Sequence, residues 1–170
     1  MKKWLSTIVF IFCLLFSYPL LNWLSKIPGL NKSAFDIVVV IYIAVYIWYI
    51  ASSIYEMKHG EAGRLLLQAA LTETLILLVQ IFLLLVVSIV SLMNLVGAFF
   101  ALPIAYLIIG CFNCLIGFAG TLRGISGIVV ACRSGKLSIA AGIVNGLLQF
   151  VPFINIIDSI ALKAIIKNAD

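Results

Sequence analysis

Cys111-Phe112-Asn113-Cys114 is the one CxxC in a chain with four cysteines, and it is the first place to look for chemistry. On a helix, side chains three residues apart share a face and approach closely enough for a disulfide, so the pair fits a membrane thiol oxidoreductase. The context argues for a plainer role. Cys111 and Cys114 lie more than a turn inside an uncharged run, while Cys13 belongs to a span and Cys132 to the reducing cytoplasmic side. Small residues on an apolar helix more often serve close packing, and Gly110, Cys114, Gly117, Gly120 and Gly124 recur here at helical spacing.

The membrane enzymes that pass electrons from thiols to a quinone, the vitamin K epoxide reductase type included, are similar in size and in using about four helices. That resemblance rests on the CxxC and the length alone. The chain departs from those enzymes in having no relay cysteines in an outer loop.

Polar residues inside apolar segments are the second set. A charge near the bilayer centre costs ~2.5–3.5 kcal/mol even on lenient scales, so such residues normally have a purpose. Glu73 and Asp158 are acids at the ends of uncharged runs, and Asn145, Gln149 and Asn155 lie within the last run. Together they trace a candidate polar path for a solute or ion. In the competing reading the acids reach the headgroups or pair with Arg64, Arg123, Arg133 or Lys163, while the amides tie helices together.

Other chemistries lack their parts. His59 is the single histidine, there is no GxSxG nucleophile elbow and no GxxxxGK[ST] phosphate loop. No catalytic residue, metal or cofactor is assigned.

The elements that must position these residues are dictated by composition. Apolar types make up 65% of the 170 residues and charged types 10%, against about 25% charged in soluble domains. Lipid must replace water around most of this surface, and uncharged runs far longer than a barrel strand select helices. The expected fold is an all-α polytopic transmembrane bundle in one domain, with four full spans near 4–25, 37–55, 74–93 and 98–121. Thr74 to Leu122 holds no charge and no histidine. Its length exceeds one crossing, and Asn94-Leu95-Val96-Gly97 supplies the turn between two spans.

The N-terminal run lacks a small-x-small cleavage site, so it reads as an uncleaved span rather than a signal peptide. Glu61, Arg64, Gln68 and Thr72 fall on one helical stripe, which places that segment at the membrane interface; Glu73 lies about 100° off the stripe, toward the apolar side. Arg123, Arg133 and Lys136, with Gly124, Gly127 and Gly135, read as a cytoplasmic connection.

The segment 137–157 is long enough to cross. A fifth crossing divides the eleven basic residues seven inside to four outside, whereas a segment that turns back divides them nine to two. Basic residues gather on the cytoplasmic side, and Pro152 offers a turning point, so a re-entrant hairpin is preferred, with an interfacial helix over 158–168 after it.

The net charge of +5 is scattered at the ends of apolar runs and anchors them to anionic headgroups, which excludes nucleic acid as the partner. The expected location is the cell membrane, with both termini cytoplasmic. The leading functional reading is a small accessory or protective membrane subunit working through helix–helix contacts with a membrane-protein partner or a second copy. A solute or ion transport component, such as a substrate-binding subunit, is the alternative, and the thiol oxidoreductase comes third.

Overall fold

The computed structural model describes residues 4–24, 26, 33–92, 95–151 and 153–168, all helical or in short connections, with no strand among them. Among the described residues six helices succeed one another: α1 (Leu5–Leu24), α2 (Ala34–His59), α3 (Ala62–Leu92), α4 (Leu95–Arg133), α5 (Ile139–Leu148) and α6 (Ile154–Asn168). Among the described residues, three stretches are long and apolar enough to cross a membrane: Ala34–His59, Ala62–Val86 and Ile116–Arg133. The helices form two compact units, Met1–His59 and Gly60–Asp170.

In the first unit, α1 and α2 run antiparallel. Phe10 stacks on Tyr49 with ring centroids 4.5 Å apart and an interplanar angle of 14°, and Ser52 donates to Ser6 at 3.0 Å. Both aromatic rings are fully buried, so this small pair gains its packing from ring contact.

The second unit is built on the antiparallel pair α3 and α4, with α5 and α6 laid against it as a shorter hairpin. Ala62 and Leu66 of α3, Ile128 and Ala131 of α4, and Leu162 and Ile166 of α6 form an apolar core at one end. The α4–α5 turn beside it is tightly specified. Gly135, at φ 74°, donates to the Cys132 carbonyl at 3.1 Å while Lys136 donates to Ala131 at 3.0 Å, which is the paired bonding of a Schellman helix stop. Ser138 then caps α5, its hydroxyl accepting from the Ala141 N–H at 3.2 Å.

Three features differ from the sequence reading. First, the connection assigned around Arg123, Gly124 and Gly127 is helix: α4 continues unbroken to Arg133, and Arg123 is fully buried. A helical glycine costs about 1 kcal/mol of propensity, which close packing can offset. Here Gly127 faces Leu66 and the backbone of Ala62, and only Gly135, with its positive φ, ends the helix. Second, Gln68 and Thr72 are fully buried, as are Leu65, Leu66 and Ala69, so this part of α3 has no water-facing stripe. Third, residues 154–157 and the segment read as an interfacial helix form one continuous α6. The two arms of the hairpin are therefore 10 and 15 residues.

Those arms are inside-out by the standards of a soluble protein. Gln149 and Asn155 are 1% and 4% exposed, and Asp158 and Ser159 are also buried, whereas Ile139 and Ile157 are 76% and 68% exposed. Polar groups inward and aliphatic groups outward is the arrangement lipid favours, and it is compatible with a membrane protein.

Candidate functional site

The sequence positions the site in two steps. α5 is only ten residues long, and the chain turns between α5 and α6, with Phe153 in the left-handed region at φ 67°. That turn sets Gln149 against Thr121 and Gly124 of α4, and Asn155 against Glu73 of α3.

Gln149 is the hub. Its amide nitrogen donates to Asp158 Oδ2 at 2.6 Å, and its amide oxygen accepts from the Ser159 hydroxyl at 3.2 Å. Its backbone carbonyl accepts from the Thr121 hydroxyl of α4 at 3.1 Å. The side chain lies where a Cβ on Gly124 would stand, so the missing side chain at 124 is what admits it.

Glu73 is placed by the same device. Its carboxylate lies against Gly120, and a Cβ there would come within 2.8 Å of the carboxyl carbon. Thr121 and the Asn155 side chain are the polar groups that face it. Glu73 Oε1 and Asn155 Oδ1 are both shielded from solvent without a hydrogen-bond partner.

Beyond this cluster opens a cavity of about 570 Å³. Glu73, Gln80, Cys114, Thr121, Gln149 and Asn155 supply its polar lining. Ile76, Leu77, Ile81, Leu84, Phe118, Phe150, Phe153 and Ile156, with Gly117, supply the remainder. The volume lies within the ~300–1,000 Å³ range of small-molecule sites, and an apolar wall with a few convergent polar groups is their usual composition.

The structure thus brings together four of the five residues of the candidate polar path. Glu73, Gln149 and Asn155 line the cavity, and Asp158 stands behind Gln149. Asn145 is elsewhere, its amide donating to the Ala141 carbonyl of its own helix at 2.7 Å. Of the small-residue seam, Gly117 lines the cavity, Gly120 and Gly124 receive Glu73 and Gln149, and Cys114 is exposed at the cavity wall. Gly110 and the Cys111 side chain lie outside the residues whose surroundings are described, so the redox pair has no geometry here.

Sequence reasoning set Thr121 on the packing seam and Ser159 on the stripe of an interfacial helix, and did not assign to the polar cluster these two residues, whose hydroxyls complete the network around Gln149. Helical spacing shows which face a short hydroxyl lies on and not which backbone or side chain it bonds. Among the described residues no three His, Cys, Asp or Glu side chains gather to hold a metal ion. Comparison with protein-family models, with characterised proteins and with solved structures returned no match. The site itself is therefore the guide to function.

Proposed function

We propose that the chain is a polytopic protein of the cell membrane that binds a small solute within the bilayer, as a component of a transport system. The observation that carries this reading is the cavity of about 570 Å³ with Glu73, Gln149 and Asn155 among its lining residues.

Depth supports it. Glu73 is eleven residues beyond the start of α3 at Ala62, a rise of about 16 Å, which is half of a ~30 Å hydrocarbon core. The ten residues of α5 likewise span about 15 Å. With Arg64, Arg133 and Lys136 at one interface, the α5–α6 turn reaches the midplane and returns. In this arrangement α1 to α4 are the four full spans of a single integral membrane domain, α5 and α6 form the re-entrant hairpin, and both termini are cytoplasmic. Solute sites near the midplane, lined where a helix is interrupted, are the general pattern of membrane transporters.

An accessory or protective subunit acting through helix–helix contacts with a partner or a second copy draws less support. The close-approach positions Gly120, Gly124 and Gly127 are already filled from within the chain by Glu73, Gln149 and Leu66.

Cys114 provides the test. With the other three cysteines replaced by serine, a small neutral maleimide should label Cys114 in lipid nanodiscs, and Gly117→Leu, which fills the cavity, should slow labelling at least tenfold. Equal labelling rates with and without Gly117→Leu would remove the cavity as a binding site.

A further inference from the structure

We propose that this cavity takes an organic cation, a protonated amine carried on an apolar body, with Glu73 as its counter-ion and Asn155 as its second acceptor. The inference rests on the binding reading above and assigns its ligand class.

The polar residues of the lining decide the ligand's charge. Around Gln149 the polar groups satisfy one another: its amide donates to Asp158 and accepts from Ser159, and its carbonyl takes the Thr121 hydroxyl. Two acceptor-bearing side chains stand together in the lining, the Glu73 carboxylate and the Asn155 amide, and Glu73 is the one carboxylate among the described lining residues.

The complement of two acceptors, one of them a carboxylate, is a group with several N–H donors and a positive charge. An ammonium has three donors and no acceptor. A carboxylate or phosphate ligand would meet only acceptors, and among the described residues no Lys or Arg lines the cavity to balance it. The walls define the remainder of the molecule. Leu77, Ile81 and Leu84 are aliphatic, and the rings of Phe118, Phe150 and Phe153 offer apolar surface and faces attractive to a cation. A bare metal ion is a poorer fit, because it needs about six oxygens at short range where this cavity is walled by hydrocarbon.

The test uses the full chain in lipid nanodiscs and three probes of one shape, phenethylammonium, 2-phenylethanol and 3-phenylpropionate, titrated calorimetrically at neutral pH. Phenethylammonium should bind saturably at one site, at least about tenfold tighter than the alcohol, with no saturable binding of the carboxylate. Glu73→Gln should erase that tenfold preference, with an unchanged thermal midpoint showing that the variant is folded. Glu73→Asp should retain part of the preference, and Asn155→Leu should lower it. Alcohol or carboxylate binding as tight as the ammonium, or a preference that survives Glu73→Gln, would overturn the cation assignment while leaving the cavity reading in place. Absence of binding by all three probes with Cys114 still labelled would do the same, whereas absence of both binding and Gly117-sensitive labelling would overturn the cavity as well.

Discussion

Gln149 donates to Asp158 across the α5–α6 turn at 2.6 Å, joining the two arms of the hairpin at a buried point nine residues apart in sequence. The contact uses a carboxylate as acceptor, which makes it stronger than a bond between neutral groups. Thr121 of α4 holds the same glutamine by its carbonyl. The tip of the hairpin is therefore clasped internally and fastened to the neighbouring helix, and this clasp presents Asn155 to Glu73.

Removing one partner of the clasp leaves the other buried and unpaired. Gln149→Ala is expected to destabilise the protein by about 1–3 kcal/mol, read as a fall in thermal midpoint in nanodiscs. Gln149→Glu, which faces Asp158 with a like charge, should cost more than Gln149→Ala. Equal midpoints for wild type and Gln149→Ala would mean that the clasp contributes nothing.

Gly120 and Gly127 sit two turns apart on α4 and should respond differently to alanine. At Gly127 the new Cβ would stand 2.9 Å from Leu66 Cγ, 3.1 Å from the Leu66 backbone nitrogen and 3.2 Å from the Ala62 carbonyl, so the helices themselves must separate. At Gly120 the Cβ meets the Glu73 side chain, which can swing aside. Gly127→Ala should lose about 1–3 kcal/mol of stability by overpacking, and Gly120→Ala less. Gly120→Ala should weaken phenethylammonium binding, because it displaces the carboxylate. Thermal midpoints and calorimetry on both variants decide the matter.

Gly135 ends α4 at φ 74° with open space around the missing side chain, so substitution there tests backbone conformation alone. Gly135→Ala should destabilise by about 1–2 kcal/mol, the left-handed penalty for an L side chain. Gly135→Asn should cost less, since asparagine tolerates that region.

Phe153 carries the opposite tension, a bulky residue at φ 67° whose ring lines the cavity. A conformation of this kind costs about 1–3 kcal/mol. Phe153→Gly should therefore retain or raise the thermal midpoint while weakening phenethylammonium binding. A lower midpoint with unchanged binding would show that the ring serves packing and not the ligand.

Much of the helical architecture was legible because lipid imposes a coarse rule: uncharged runs of sufficient length become helices. The same rule misread Arg123, since a basic residue normally marks the end of a span. It also misread Gly124 and Gly127, because a glycine that admits a neighbour looks the same in sequence as a glycine that stops a helix. Gly135 differs in its neighbours toward the C-terminus, Lys136 and Ser138, the second of which caps α5. In the site, Glu73 was legible from its position off the polar stripe, and Gln149, Asn155 and Asp158 from their presence in or beside an apolar run. Asn145 has the same chemistry as Asn155 yet bonds its own helix. Which amide turns inward depends on where α5 stops, and hydrophobic periodicity does not resolve that boundary to one residue.

A solute site at the membrane midplane requires the hairpin tip to reach the middle of the bilayer, and a spin label there reads this most directly. In a chain with its native cysteines replaced, Val151→Cys would carry the label, and its exposure to dissolved oxygen and to a water-soluble nickel chelate would be compared. The expected result is strong oxygen broadening, almost none from the chelate, and a depth near the bilayer centre. Strong chelate broadening, equal to that of a label at Ser134, would place the tip in water and contradict a midplane site.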